Sequence, residues 1–221
     1  MQECAEFSQL GFDRLAMKKN KVGLLGGTFN PIHNGHLAMA GIALGEFELG
    51  EVIFLPLGDP PHKQGKTIAP AQQRLDMIAL AIEGHPAFSV DTMELCRTGY
   101  TYTVDTLTAL LKRNINTQYH YIIGADTLFE LHTWKNFERV ITMTDFICVL
   151  RPGIDDLEAR AYAQALNDKY GKKVYVADAK GPQISSSEIR ALAGGGLLGD
   201  SFVPDAVAQY IRHHHLYDHE E

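Results

Sequence analysis

Short apolar runs alternate with stretches in which apolar residues recur every three or four positions. The runs are Val22-Gly23-Leu24-Leu25, Glu51-Val52-Ile53-Phe54-Leu55-Pro56-Leu57, Phe88-Ser89-Val90, and residues 119–123, 146–150 and 174–177. Short apolar segments bounded by turn residues read as buried strands. Between them lie helical stripes: Leu37, Ala40 or Gly41 and Leu44; Leu75, Ile78, Ala79 and Ile82; Val104, Leu107, Leu110 and Leu111; and a longer one over residues 157–170. Two helices close the chain, over residues 185–192 and 204–214, the second with Val207, Tyr210 and Ile211 on its apolar side. Gly194-Gly195-Gly196 between them is a helix stop.

Alternating strands and helices predict an α/β fold, doubly wound, with a mostly parallel sheet, helices on both faces and a short C-terminal helical segment. In a Rossmann-like sheet of this kind, ligands bind beyond the carboxyl ends of the strands where strand order reverses, and the first strand is the expected reversal point. Residues 21–221 read as a single domain that includes the C-terminal helices over residues 185–215. Residues 1–20 read as an N-terminal extension. Because Met17-Lys18-Lys19-Asn20-Lys21 looks like a natural start ahead of the first strand, the residues before Met17 are expected to be dispensable.

Composition narrows the class. With 221 residues, 45% apolar and 21% charged, the chain can bury a full core and fits one large domain better than two. No apolar run approaches the ~20 residues of a membrane span, and the opening lacks the basic start and apolar centre of a secretory signal, so a cytoplasmic location is expected. Cys4, Cys96 and Cys148 are isolated and show no CxxC spacing, which suggests neither a disulfide framework nor a zinc site. A net charge of −7, with Lys18-Lys19 as the longest basic block, argues against a nucleic-acid polymer as partner. It leaves room for a nucleotide held by local amides and a few cations, and it leaves oligomer formation open.

The chemistry concentrates directly after the first strand, in Gly26-Gly27-Thr28-Phe29-Asn30-Pro31-Ile32-His33-Asn34-Gly35-His36. Two glycines remove Cβ atoms that would block a ligand from the backbone and tolerate a tight strand-to-helix turn. The helical stripe from Leu37 implies a helix starting near Asn34 or Gly35, whose unsatisfied amides and positive dipole end would face the same turn. His33 then precedes the first turn and His36 lies within it. An imidazole facing an anion is favoured in its charged form, and either ring could donate to a phosphate. No GxxxxGK[ST] and no GxGxxG is present, so neither the P-loop nor the dinucleotide fingerprint applies. Taken singly, each residue could be a plain turn or helix residue; the full string points to phosphate.

Gly26 to Leu37, GGTFNPIHNGHL, resembles the T/HxGH signature of the nucleotidylyltransferase superfamily, and its PIHNGH form is similar to that of bacterial nicotinate-nucleotide adenylyltransferases. Further segments carry the same resemblance over roughly residues 21–217. Gln183-Ile184-Ser185-Ser186-Ser187-Glu188-Ile189-Arg190 resembles the family's ISSTxIR signature, with Ser187 where threonine is common. Ser185 and Glu188 also form a helix capping box, which does not explain Arg190; an arginine there can clamp a phosphate. Ile122-Ile123-Gly124-Ala125-Asp126 places Asp126 just past a strand, either as a helix cap or, as the resemblance implies, against ribose or phosphate, with Gly124 close to the nucleotide. Trp134, the only tryptophan, is core or, by resemblance, lies against the pyridine ring. Thr101, Tyr102 and Thr103 resemble the SYTxxTL segment; amides and hydroxyl at Tyr102 and Thr103 suit a carboxylate, although Thr103 could equally be an ordinary cap. Pro61-His62-Lys63 matches the mobile PHK loop, and Arg151 offers another cation at the sheet's carboxyl edge. His213-His214-His215 reads as a helix end rather than a metal site.

The resemblance implies adenylyl transfer from ATP to nicotinate mononucleotide. Expected catalytic residues are His33, His36 and Arg190. The ATP side would comprise Gly26, Gly27, Thr28, Phe29, Asn30, His36, Gly124, Asp126, Ser185, Ser186 and Arg190. The acceptor side would comprise Lys63, Tyr102, Thr103, Trp134 and Arg151. No protein metal site is expected; Mg²⁺ would arrive with ATP, held mainly by phosphate oxygens. Asn30 stands where related transferases often carry aspartate, so no charge-based role transfers to it. Other members of the superfamily, such as phosphopantetheine adenylyltransferase and the cytidylyltransferases, and a nucleotide-binding sensor without turnover are the competing readings.

Overall fold

The computed structural model of the chain describes residues 20–58, 68–171, 173–199 and 201–218. Six strands form one sheet: β1 (Asn20–Gly27), β2 (Glu51–Pro56), β3 (Phe88–Val90), β4 (Thr117–Gly124), β5 (Asp145–Val149) and β6 (Val174–Val176). Their order is β3-β2-β1-β4-β5-β6, and every pairing is parallel. The order reverses between β1 and β4, so the Gly26-Gly27 turn sits at the topological switch point, as the sequence predicts.

The strands read as near-continuous apolar runs because both faces of the sheet are covered. Successive side chains of a strand go to opposite faces. Leu24, Leu55, Ile123 and Cys148 pack on one side; Leu25, Phe54, Ile122 and Ile147 pack on the other. The first side is covered by α3 (Thr103–Arg113), α5 (Phe137–Met143) and α6 (Asp156–Tyr170), through Leu107, Leu110, Val140, Ile141, Ala159 and Ala163. The second is covered by α1 (Asn34–Glu46), α2 (Ala71–Ile82) and α8 (Asp205–His213), through Ala40, Ala43, Met77, Ile78, Val207 and Ile211. The C-terminal helix thus shares the core of the first helices. Cys148 is buried in this core, and burial pushes its thiol up to about 12. Among the described residues no helix is long and apolar enough to cross a membrane.

Two features differ from the sequence reading. The buried face of α2 is Arg74, Met77, Ile78 and Ala81, whereas Ala79 is exposed. Counting apolar residues excluded Arg74, and that rotated the expected stripe. Between β4 and β5 the chain forms α4 (Ala125–Glu130), a 3-10 turn over Leu131–Thr133, and α5; of these the sequence offered only a helix start near Asp126. Each is too short to display helical periodicity. α7 (Ser186–Gly194) starts on Ser185, whose hydroxyl accepts from the Glu188 N–H at 3.2 Å, and it ends at Gly195 as expected.

Candidate active site

β1 empties into a turn in which Thr28, Phe29 and Asn30 are buried, and α1 begins four residues later. His33 has extended backbone and caps α1. Its Nδ1 accepts from the His36 N–H at 3.3 Å, while Nδ1 of His36 accepts from the His33 N–H at 3.3 Å. The two rings stack at 3.6 Å, and Phe29 meets His36 edge-on at 4.9 Å. With both Nδ1 atoms accepting, the ring protons belong on Nε2, which makes each imidazole a neutral donor. Burial pushes His33 down from 6.5 to about 4, so the ring is not the cation that the sequence reading expects beside an anion. Protonating Nδ1 would also break the cap.

The Gly26 turn is constrained by a neighbour on the next strand. A Cβ built on Gly26 would collide with the Tyr121 hydroxyl. Tyr121 lies one strand away on β4, where it pairs with Leu24.

A cleft of about 310 Å³ opens at the carboxyl edge of β1, β4 and β5. Of the residues expected on the ATP side, Gly26, His36, Gly124, Asp126 and Ser185 line it, joined by His33 and Arg151. The N-termini of α1, α4 and α7 converge there: His33 caps the first, Gly124 the second and Ser185 the third. Asp126 is therefore not the helix cap but lies in the first turn of α4. A Cβ on Gly124 would meet nothing within 4 Å, so the space beside it belongs to the cleft.

Other expected ATP-side residues lie behind this wall. The Asn30 side-chain oxygen accepts from the Ala69 N–H at 3.0 Å and from the Tyr217 hydroxyl at 2.9 Å. Arg190 donates to the Asn30 carbonyl at 3.0 Å, and Ser186 donates to the Pro31 carbonyl at 3.1 Å, which ties α7 to the first turn. Gly27, Thr28, Phe29, Asn30, Ser186 and Arg190 thus shape the wall instead of lining the cleft.

The expected acceptor-side residues divide. Tyr102 caps α3 without a side-chain cap bond, so Thr103 is the first helical residue and not the cap. The Lys135 ammonium sits over the Tyr102 ring at 3.9 Å. Trp134 is half-buried, edge-on to Tyr121 at 5.5 Å and to Phe146 at 6.1 Å. Tyr121 therefore bridges the Gly26 turn and the Trp134 group; its phenol is raised by burial, then by Glu94, while Thr103 is a hydrogen-bonding neighbour. Arg151 does not join this group. It pairs with Asp126 at 2.6 Å in the first cleft. Lys63 lies outside the described residues. Sequence reading missed Tyr121 because it looked like one more buried strand residue.

Among the cleft-lining residues Asp126 is the one carboxylate, and among the described residues no three His, Cys, Asp or Glu side chains gather as a metal-ligand set. A single carboxylate fits a Mg²⁺ ion that takes most of its ligands from phosphate and water.

The sequence matches the cytidylyltransferase-like family over residues 24–192. A Symbiobacterium thermophilum protein named "probable nicotinate-nucleotide adenylyltransferase" is 41% identical over 197 residues, covering 89% of this chain and 95% of its own length. One of the same name from a Thermoanaerobacter species is 37% identical over 202 residues, covering 91% and 96%. A Plasmodium falciparum nicotinic acid mononucleotide adenylyltransferase, solved complexed with APC and with NaAD, has a TM-score of 0.73 at 18% identity, covering 91% of this chain and 98% of that one. That likeness concerns the fold. The identities over nearly the whole chain place it: the protein belongs to the cytidylyltransferase-like family and, within it, to the nicotinate-nucleotide adenylyltransferases.

Proposed function

We propose that the protein transfers the adenylyl group of ATP to nicotinate mononucleotide, giving nicotinate adenine dinucleotide and pyrophosphate, as a cytoplasmic step of NAD biosynthesis. One observation carries the reading: three helix N-termini meet His33 and His36 around one cleft at the switch point of a parallel sheet. Amides and dipole ends gathered in this way favour a multiply charged anion. The names of the curated relatives supply the acceptor.

The acceptor's phosphate oxygen is already an anion and needs no general base. It attacks the α-phosphorus directly, in line with departing pyrophosphate, and no covalent enzyme intermediate forms. Catalysis is then positioning and electrostatics. The Nε2–H groups of His33 and His36 donate to phosphate oxygens as charge moves to the leaving group. Arg190, docked on the Asn30 carbonyl and close to Ser187, adds a cation at the α7 side of the turn. Asp126 faces ribose or phosphate, and its pairing with Arg151 holds both at the rim of the cleft. Tyr102 and Thr103 receive the nicotinate carboxylate at the start of α3, Trp134 lies against the pyridine ring, and Lys63 serves the acceptor phosphate. Asp126 is the cleft carboxylate that would hold Mg²⁺ arriving with ATP, most of whose ligands would be phosphate oxygens, and the ion would offset charge on the triphosphate.

ATP labelled at the α-phosphorus tests the scheme. The label should pass to the dinucleotide with none left on denatured protein. Label retained on the protein would refute direct attack, and none in the dinucleotide would refute the transfer.

A further inference from the structure

Arg74 is 2% exposed on the apolar face of α2, between the turn after β1 and the exit of β2. Its guanidinium keeps a positive charge at physiological pH even though burial opposes it. Among the described residues its hydrogen-bond partners are all main-chain carbonyls. Nε donates to Ala69 at 3.1 Å, one terminal nitrogen donates to Thr28 at 2.7 Å and Leu57 at 2.9 Å, and the other donates to Gly58 at 3.4 Å. One planar fork therefore fixes three segments that are far apart in the chain: the turn after β1, the end of β2 and the entry to α2.

Asn30, two residues beyond Thr28, is braced from the other side. Its Oδ1 accepts from the Ala69 N–H and from the Tyr217 hydroxyl. A methionine at position 74 would pack well but would leave buried carbonyls without donors. A lysine would keep the charge, yet a point charge on a flexible stem cannot reproduce the fork. The residue is thus poorly suited to packing alone and well suited to setting the turn.

We propose that Arg74 is the positioning residue of the phosphate-facing turn, holding Thr28 and Asn30 so that the Gly26 backbone and His33 present a fixed anion site, with Tyr217 completing the brace. This rests on reading Gly26 to His36 as the ATP side of the cleft.

Arg74→Lys, Arg74→Met and Tyr217→Phe test it, with ATP affinity measured by equilibrium titration without acceptor, alongside kcat, both KM values and Tm. Both Arg74 variants should weaken ATP binding about tenfold or more, the scale of loss when a remote change misplaces a site, with the KM for nicotinate mononucleotide within about threefold of wild type. Tyr217→Phe should weaken ATP binding about threefold, with little change in Tm. Unchanged ATP affinity in folded Arg74→Lys overturns the proposal, as does an equal rise in both KM values. Should neither Arg74 variant fold, Tyr217→Phe decides alone, and unchanged ATP affinity there is fatal. A wild-type protein that binds ATP but does not use nicotinate mononucleotide would sink the substrate reading, while the titrations would still decide the role of Arg74.

Discussion

His33 and His36 cap each other: each main-chain N–H donates to the other ring's Nδ1 at 3.3 Å. In the proposed site, this reciprocal pair would let two histidines three apart both serve one anion. The cap consumes one nitrogen of each ring and fixes the proton on the other. Because His36 is the more open of the two, it is the better single probe. His36→Ala should lower kcat by on the order of 10²-fold or more, the usual loss when one transition-state donor is removed. Steady-state kinetics with near-normal kcat would remove His36 from the mechanism.

The same geometry sets a pH dependence. His33 is pushed from 6.5 to about 4 by burial, so between these values the unfolded chain binds a proton that the folded one refuses. Stability is fully present above pH 6.5 and is lost as pH falls toward 4, by about 3 kcal/mol from this ring. His120, also lowered by burial, acts in the same direction. His33→Asn keeps a capping side chain but removes the titration. Calorimetry across this range should show a shallower fall in Tm for His33→Asn; a slope equal to wild type contradicts the assignment.

The proposed nucleotide site uses the open space beside Gly124. Its φ of −87° and ψ of 169° suit any residue, and a Cβ there meets no neighbour within 4 Å. Gly124→Val should therefore fold normally yet raise the KM for ATP about tenfold or more by filling the cleft. An unchanged KM would place ATP elsewhere.

Gly26 and Tyr121 form a lock that can be opened from either side. In Gly26→Ala the new methyl collides with the Tyr121 hydroxyl, whereas the ring carbon beneath that oxygen stands at 3.1 Å. Gly26→Ala alone should cost about 10²-fold in kcat/KM by displacing the turn, and adding Tyr121→Phe should recover at least about tenfold. Additive losses in the double variant would show that the two residues do not meet in solution.

What the sequence disclosed follows from where its signals lie. Leu24 and Leu25, or Ile122 and Ile123, face opposite apolar layers, so each strand of the central sheet is a continuous apolar run and stands out. The Gly26 to His36 string is local, and its helix start could be read directly, whereas the reciprocal cap of His33 and His36 needed the structure. Arg74 was invisible because a charged residue on a buried face breaks the periodicity used to find that face. Tyr217 meets Asn30 across 187 positions, and no local pattern announces such a contact. The sequence likewise could not place Arg151 with Asp126 and apart from Trp134, because that division depends on how the start of α4 and the loop after β5 meet at neighbouring strand ends.

In the proposed reaction, ATP in the cleft meets a pyridine mononucleotide whose carboxylate is read at Tyr102 and Thr103. Pyrophosphate release from ATP, measured side by side with nicotinate mononucleotide, nicotinamide mononucleotide and phosphopantetheine, tests it most directly. Release is expected with nicotinate mononucleotide, weaker release with the nicotinamide form and none with phosphopantetheine. Release with phosphopantetheine alone, or ATP binding without release for any acceptor, would contradict it.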